Sequence, residues 1–85
     1  MAARVDAARL AYRMNRYREA KELVDRVLRE DPYREQAWQL AIRLAHASGS
    51  DDAVLALYQR YVARMRDLGV PPSDEVRRLV MQLRR

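Results

Sequence analysis

The 85-residue sequence contains no cysteine and no phenylalanine, only two glycines, and a single histidine, His46. Without cysteine there is no disulfide framework and no thiolate metal cluster, and one histidine does not make a zinc site by itself. No unbroken apolar run approaches the roughly 18 residues that a membrane span needs, and no secretory signal follows Met1. We therefore expect one cytoplasmic domain that needs no metal or other cofactor.

Positive charge predominates, with 17 basic residues against 12 acidic ones and a formal net charge of +5. All the basic residues except Lys21 are arginine. Such a bias in a small domain suggests a nucleic-acid partner or an acidic protein partner. The codons of a GC-rich genome, which favour arginine and alanine, explain it equally well. Because the arginines are spread over the whole chain, the bias favours protein docking over nucleic-acid binding.

Glycine, proline and asparagine divide the chain into five predicted helices. Asn15 and Gly49 tolerate the left-handed conformation that ends a helix, and Pro32 disfavours helix at the residue before it. In the first helix the pattern predicts a buried stripe of Ala3, Ala7, Leu10, Ala11 and Met14. The predicted helices are Ala2 to about Met14, Tyr17 to the Asp31-Pro32 stop, about Tyr33 to Ala47, a helix capped by Ser50 or Asp51, and a last helix capped by Ser73.

An offset of 34 residues aligns the chain with itself, pairing Ala7 with Ala41, Leu10 with Leu44, and Asn15 with Gly49. Thirty-four residues is the tetratricopeptide length, a pair of antiparallel helices. We therefore predict an all-α, tetratricopeptide-like fold of about two and a half repeats within a single domain, residues 1–85. Repeat one covers 1–34, repeat two 35–68, and a terminal helix 73–85. The predicted repeat core comprises Ala7, Ala20, Val24, Trp38, Ala41, Gly49 and Tyr58.

Three segments, in order, carry a closer resemblance. Residues 31–38 fit a D-P-x-R-E-x-A-W pattern, residues 47–49 end in Gly49 and lead to residues 53–58, which end in Tyr58, and the segment 68–79 opens with a closing L-G-V-x-P-S-x-E pattern at 68–75. Together they resemble the bacterial transcriptional activator domain. The resemblance implies a tetratricopeptide-like domain of regulators related to the antibiotic regulatory proteins of actinobacteria. In those it follows a winged-helix DNA-binding domain and mediates self-association and contacts to the transcription machinery or sensory domains. The chain is then either part of a longer regulator or a free-standing relative.

In tetratricopeptide packing the first helix of each repeat faces an inner groove. The position of a residue within its repeat therefore indicates whether its side chain faces that groove. The residues at such positions are Val5, Asp6, Arg9, Tyr12, Arg13, Gln36, Gln39, Leu40, Arg43, His46 and Ala47. Three of them, Arg9, Arg13 and Arg43, are suited to clamping a carboxylate or phosphate, and Tyr12 offers a flat apolar face. The predicted partner-binding residues are Arg9, Tyr12, Arg13, Gln39, Arg43 and His46. The alternative is that the arginines are solvated and that Tyr12 and His46 pack at helix edges.

Catalysis has no support in the sequence. The adjacent carboxylates Asp51-Asp52 and Asp74-Glu75 stand at predicted helix N-termini, where acidic residues are expected. The leading hypothesis is a non-catalytic module that docks an acidic segment or the transcription machinery and forms a homo-oligomer, most simply a two-fold dimer. The alternative is a small basic nucleic-acid-binding protein. We expect neither a membrane nor a small-molecule substrate as partner.

Overall fold

The computed structural model describes residues 2–84, so Met1 and Arg85, the ends of the predicted 1–85 domain, lie outside it. Within residues 2–84 the chain forms five α-helices and no strand, which confirms the predicted all-α class and the number of helices. None of these helices is both long and apolar enough to cross a membrane. The helices are α1 (Ala2–Arg13), α2 (Tyr17–Glu30), α3 (Glu35–Ala47), α4 (Asp51–Leu68) and α5 (Asp74–Leu83).

Three helices end on a residue in the left-handed conformation. The φ angles are 60° at Asn15, 82° at Gly49 and 76° at Gly69. At each end the next backbone N–H bonds to the carbonyl five residues earlier, which satisfies an orphan carbonyl of the helix. These bonds are Arg16 to Ala11 at 2.8 Å, Ser50 to Ala45 at 3.4 Å and Val70 to Met65 at 3.0 Å. Asn15 and Gly49 therefore make the same turn one repeat apart.

The third helix begins at Glu35, two residues later than predicted. The Asp31 carboxylate accepts a 3.2 Å hydrogen bond from the Tyr33 N–H, and the Asp31 carbonyl accepts one of 3.2 Å from the Arg34 N–H. These bonds form a turn that the chain completes before helical geometry starts. The last two helices begin as expected, because the Ser50 and Ser73 hydroxyls each accept an N–H from three residues on.

The core has two parts that share α3. One face of α3 packs with α1 and α2, while Trp38 and Ile42 on the other face pack with α4 and α5. The predicted core residues Ala20, Val24, Trp38 and Ala41 are buried, and Tyr58 is half-buried against the second part. Accordingly, α3 contacts all four other helices, whereas no residue of α2 comes within 8 Å, Cα to Cα, of a residue of α4.

The prediction of a buried stripe on α1 is correct at Ala11 and wrong at its other four residues. Ala7, assigned to the repeat core, is exposed, as is Ala3, while Leu10 and Met14 are 57% and 51% exposed. The buried residues are Val5, Ala8 and Ala11. The helix is apolar on two faces, and the face with the smaller side chains is buried because Ala8 lets α2 approach closely. The face with Leu10 and Met14 is left uncovered.

Candidate functional site

A surface groove of about 220 Å³ lies between α1 and α3. It contains five of the six predicted partner-binding residues. The sixth, His46, is exposed near the end of α3 and does not line the groove. Val5, also mapped to the groove by register, is instead buried in the core, at 2% exposure. The lining residues are Arg9, Tyr12, Arg13, Gln36, Gln39, Leu40 and Arg43.

Helical spacing explains why these side chains converge. Arg9, Tyr12 and Arg13 are separated by three and four residues, so they stand on one face of α1. On α3, Gln36, Gln39, Leu40 and Arg43 have the same spacing. Leu40 is only 5% exposed and also belongs to the core. Two polar helix faces therefore meet over an apolar floor.

Two of the three groove arginines are available to a ligand. Arg13 and Arg43 have no carboxylate oxygen within 4.0 Å among residues 2–84, and both are exposed. Arg9 lies 3.6 Å from a carboxylate oxygen of Asp6, and both side chains are largely exposed. Exposed pairs of this kind contribute little, so a ligand carboxylate competes readily with Asp6. Arginines from both helices therefore line the groove, Arg9 and Arg13 from α1 and Arg43 from α3.

Two carboxylates lie next to the groove, although neither lines it. The Gln39 amide donates to the carboxylate of Glu35 at 3.1 Å and to that of Glu75, on α5, at 3.5 Å. These bonds fix the amide and bring two acidic side chains to the boundary between α3 and α5. A bound segment would therefore have its negative charge near Arg13 and Arg43 and away from Glu75.

An aromatic side chain lies beside the arginines of the groove. Tyr12 is half-buried, and its ring centroid lies 5.7 Å from that of Tyr17, with the rings tilted at 47°. Such pairs are among the preferred arrangements of aromatic rings. Packing against Tyr17 holds the Tyr12 ring in place beside the arginines, where it offers an apolar surface to a bound side chain.

The paired carboxylates and the serines of the sequence stand at helix ends. The paired carboxylates of 51–52 and 74–75 occupy the first turns of α4 and α5, where they complement the helix dipoles. The Ser48 hydroxyl donates to the Ala45 carbonyl at 2.7 Å, and the hydroxyls of Ser50 and Ser73 act as N-caps. Within residues 2–84, no three His, Asp or Glu side chains are placed to hold a metal ion.

A second and larger cavity, of about 570 Å³, was missed by the sequence reasoning. It lies between α2 and α4, with α3 as its floor, and we call it the α2/α4 cleft. Four alanines line it, at positions 41 and 45 of α3 and 53 and 56 of α4, together with Val24, Leu44 and Leu57. The recurrence of alanine on helices that face each other is the one sequence signal that could have indicated it.

Helices joined by short turns, with a left-handed residue at the equivalent positions Asn15 and Gly49, are typical of a tetratricopeptide-like helical domain. The sequence profile of the bacterial transcriptional activator domain matches residues 1–84. The chain therefore belongs to the bacterial transcriptional activator domain family and is a domain of a transcriptional regulator. No curated protein and no solved structure matches it significantly.

Proposed function

We propose that the chain is a non-catalytic docking and self-association module of a transcriptional regulator, and that its α1–α3 groove binds an acidic segment of a protein partner. The observation that supports docking is the convergence of Arg13 and Arg43, from different repeats, on one groove beside Tyr12. Guanidinium groups bind carboxylates through paired, charge-assisted hydrogen bonds. Two of them flanking an apolar floor favour a segment that alternates acidic and apolar residues.

A nucleic-acid backbone fits the groove less well. A phosphate chain running across the groove would pass from the arginines toward Glu35 and Glu75, where like charges repel it. The remaining arginines are distributed along the whole chain, and none of those within residues 2–84 lines the groove. A protein segment, in contrast, can present its negative charge at one end only.

Charge reversal tests the groove. We expect Arg13→Glu with Arg43→Glu to weaken binding of a fluorescein-labelled octapeptide of alternating aspartate and leucine at least about tenfold, measured by fluorescence anisotropy. The matched control is Arg29→Glu with Arg78→Glu, which changes charge equally at exposed sites outside the groove. Equal weakening by both double variants would show that only net charge matters.

Salt dependence separates the two candidate functions. If the chain contacts several phosphates of a 20-base-pair DNA duplex, its affinity for the duplex should fall by about 10³-fold or more between roughly 50 and 200 mM salt. We expect the octapeptide to lose much less over the same range, because fewer charges are neutralised. Tight duplex binding with a steep salt slope that is abolished by the groove variants would favour the nucleic-acid alternative.

The uncovered face of α1 supports self-association. Leu10 and Met14 are more than half exposed and lie one turn apart, with Ala7 on the same face. Repeat proteins bury such faces by stacking, and a second copy offers an identical face for a two-fold contact. The dimer that we propose therefore forms through α1, on a surface separate from the arginine groove.

A further inference from the structure

The α2/α4 cleft is an apolar surface that the docking groove does not use. No residue lines both cavities, since the groove is formed by α1 and α3 and the cleft by α2, α3 and α4. Its volume, about 570 Å³, falls in the range of cavities that bind ligands. Because α2 and α4 both pack on α3 without approaching each other, a gap remains between them, at whose base Ala45 is half-buried and Ala41 and Leu44 are buried.

Small side chains keep the cleft open. Ala41 and Ala45 form its floor, and Ala53 and Ala56 its α4 wall, so that only methyl groups extend into it at these positions. Packed helices lie 8–10 Å apart depending on the side chains between them, and alanine permits the closest approach. The small side chains therefore leave room for the side chains of another helix to enter the cleft.

The dimensions limit the occupant to a short segment. On α2 the cleft extends from Tyr17 to Asp25, which corresponds to roughly 12 Å at a rise of 1.5 Å per residue. This length equals about two turns of an α-helix. It accommodates large apolar side chains at positions i, i+4 and i+7 of a bound helix.

The hydrogen-bonding groups of the lining favour a helix over an extended chain. Its uncharged polar side chains are Tyr17 and Ser48, whose hydroxyls already donate to the Asn15 side chain at 2.9 Å and to the Ala45 carbonyl at 2.7 Å. An extended segment would leave its backbone N–H and C=O groups without partners in this apolar surface, whereas a helix satisfies them internally.

The charges at the rim determine which helix fits. Arg18 on the α2 wall and Arg60 on the α4 wall have no carboxylate within 4.0 Å among residues 2–84. The third cation, Lys21, lies 3.4 Å from the carboxylate of Asp25. The Arg60 guanidinium is 5.6 Å from the centroid of the Trp38 ring, which is a cation–π distance. Each wall therefore carries an arginine that has no carboxylate partner among residues 2–84.

We propose that the α2/α4 cleft binds a short amphipathic helix of a partner protein. The helix places apolar side chains on the alanine floor and carboxylates on both flanks, where they pair with Arg18 and Arg60. This second docking surface lets the module hold a helix while the α1–α3 groove is occupied.

The test uses a designed 16-residue helical peptide, fluorescein-labelled, with leucine at three central positions i, i+4 and i+7 and glutamate on the flanks of this stripe. We expect Ala56→Trp, which fills the cleft from an exposed position, to weaken its binding at least about tenfold. Gln59→Trp is the matched control, because Gln59 is exposed on the same helix but does not line the cleft. Wild-type affinity for Ala56→Trp would overturn the proposal.

Charge exchange tests the flanks. Arg18→Glu with Arg60→Glu should weaken the glutamate peptide about tenfold and strengthen binding of the same peptide with lysine flanks. Arg26→Glu with Arg29→Glu, on exposed positions of α2 outside the cleft, should do neither. Thermal unfolding followed by circular dichroism confirms that each variant is folded.

Two further results would also overturn the proposal. If Arg13→Glu with Arg43→Glu weakens the helical peptide as strongly as Ala56→Trp does, the α1–α3 groove is its binding site. If Ala56→Trp converts an oligomer into a monomer in sedimentation equilibrium, a second copy of the chain occupies the cleft. We expect that Arg13→Glu with Arg43→Glu leaves binding of the helical peptide unchanged. We also expect that Ala56→Trp leaves the mass of the chain in solution unchanged.

Discussion

The hydroxyl of Tyr61 accepts a 2.9 Å hydrogen bond from the backbone N–H of Ser73, the N-cap residue of α5. Tyr61 is fully buried on α4, and its ring meets that of Trp38 edge-on at a centroid distance of 6.1 Å. The Ser73 hydroxyl in turn accepts the N–H of Val76 at 3.2 Å. One buried tyrosine thus connects the aromatic core to the first residues of the last helix.

Removing this hydroxyl should destabilise the domain. We expect Tyr61→Phe to lower the free energy of unfolding by about 1–2 kcal/mol, because a partly buried N–H loses its acceptor. The control is Tyr58→Phe, since the Tyr58 hydroxyl makes no hydrogen bond within residues 2–84, and it should cost less than about 0.5 kcal/mol. Urea denaturation measures both. Equal losses would mean that the bond to Ser73 contributes nothing specific.

At Gly49, in the turn between α3 and α4, glycine is favoured by backbone conformation alone. A Cβ built on Gly49 meets no atom within 4 Å, so the only obstacle to a side chain is its φ of 82°. Left-handed geometry costs most residues about 1–2 kcal/mol, and asparagine tolerates it best. We therefore expect Gly49→Ala to lower the free energy of unfolding by about 1 kcal/mol.

Gly49→Asn is the matched variant, because asparagine already occupies the equivalent turn at Asn15, with a φ of 60°. It should retain most of the stability that Gly49→Ala loses. Thermal and urea unfolding of the two variants side by side give the comparison. A Gly49→Asn variant as unstable as Gly49→Ala would show that the two turns are not interchangeable.

Helix ends were predictable from the sequence because their causes are local. The left-handed turns at Asn15 and Gly49, and the caps at Ser50 and Ser73, depend on the chemistry of one or two residues. The start of α3 was misplaced because the Asp31 side chain forms a turn that competes with the first helical residues. Most of the groove was also predictable, since the 34-residue period fixes which helix faces meet.

Non-local packing explains what the sequence did not predict. Leu10 and Ala8 are both apolar residues of α1, and only the approach of α2 decides that Ala8 is buried and Leu10 exposed. His46 falls outside the groove because it stands nearly one turn beyond Arg43 on α3. The α2/α4 cleft depends on the separation of two helices that are distant in sequence, which no periodicity within either helix encodes.

The pairing of α1 with α2 should depend on pH. Arg4, in the first turns of α1, donates a hydrogen bond to the carboxylate of Glu30 at the end of α2. That hydrogen bond, with attraction to the guanidinium, holds the pKa of Glu30 below its usual value. A lowered folded-state pKa gives a contribution that is present above the usual carboxyl range and lost as pH falls through the lowered pKa.

We therefore expect Glu30→Gln to lower the free energy of unfolding at neutral pH. The difference from the wild type should disappear as the pH falls far enough to protonate Glu30 in the folded protein. The effect should be small, because both side chains are about half exposed. Urea midpoints across the pH range, with an NMR titration of the Glu30 carboxyl carbon, provide the measurement. Glu22→Gln serves as the control, because Glu22 forms no ion pair within residues 2–84. A Glu30→Gln deficit that persists at low pH would contradict the linkage.

Self-association through α1 is the remaining expectation, and it rests on the exposure of Leu10 and Met14. A charge placed in the centre of an apolar contact must be desolvated when two copies meet, and in a two-fold dimer it meets its own symmetry mate. Leu10→Glu should therefore reduce the mass measured by sedimentation equilibrium toward that of the monomer, without loss of helicity by circular dichroism.

Met81→Glu is the comparison that locates the contact. Met81 is the most exposed of the large apolar residues, at 69%, but it lies on α5, at the opposite end of the helix array. If the dimer forms through α1, Met81→Glu should leave the mass measured by sedimentation equilibrium unchanged, because the new carboxylate stays in water. Dissociation by Met81→Glu alone would move the contact to α5. A wild-type chain that stays monomeric up to about 1 mM would exclude a dimer with a Kd below that concentration and would leave the α1 face for a different partner.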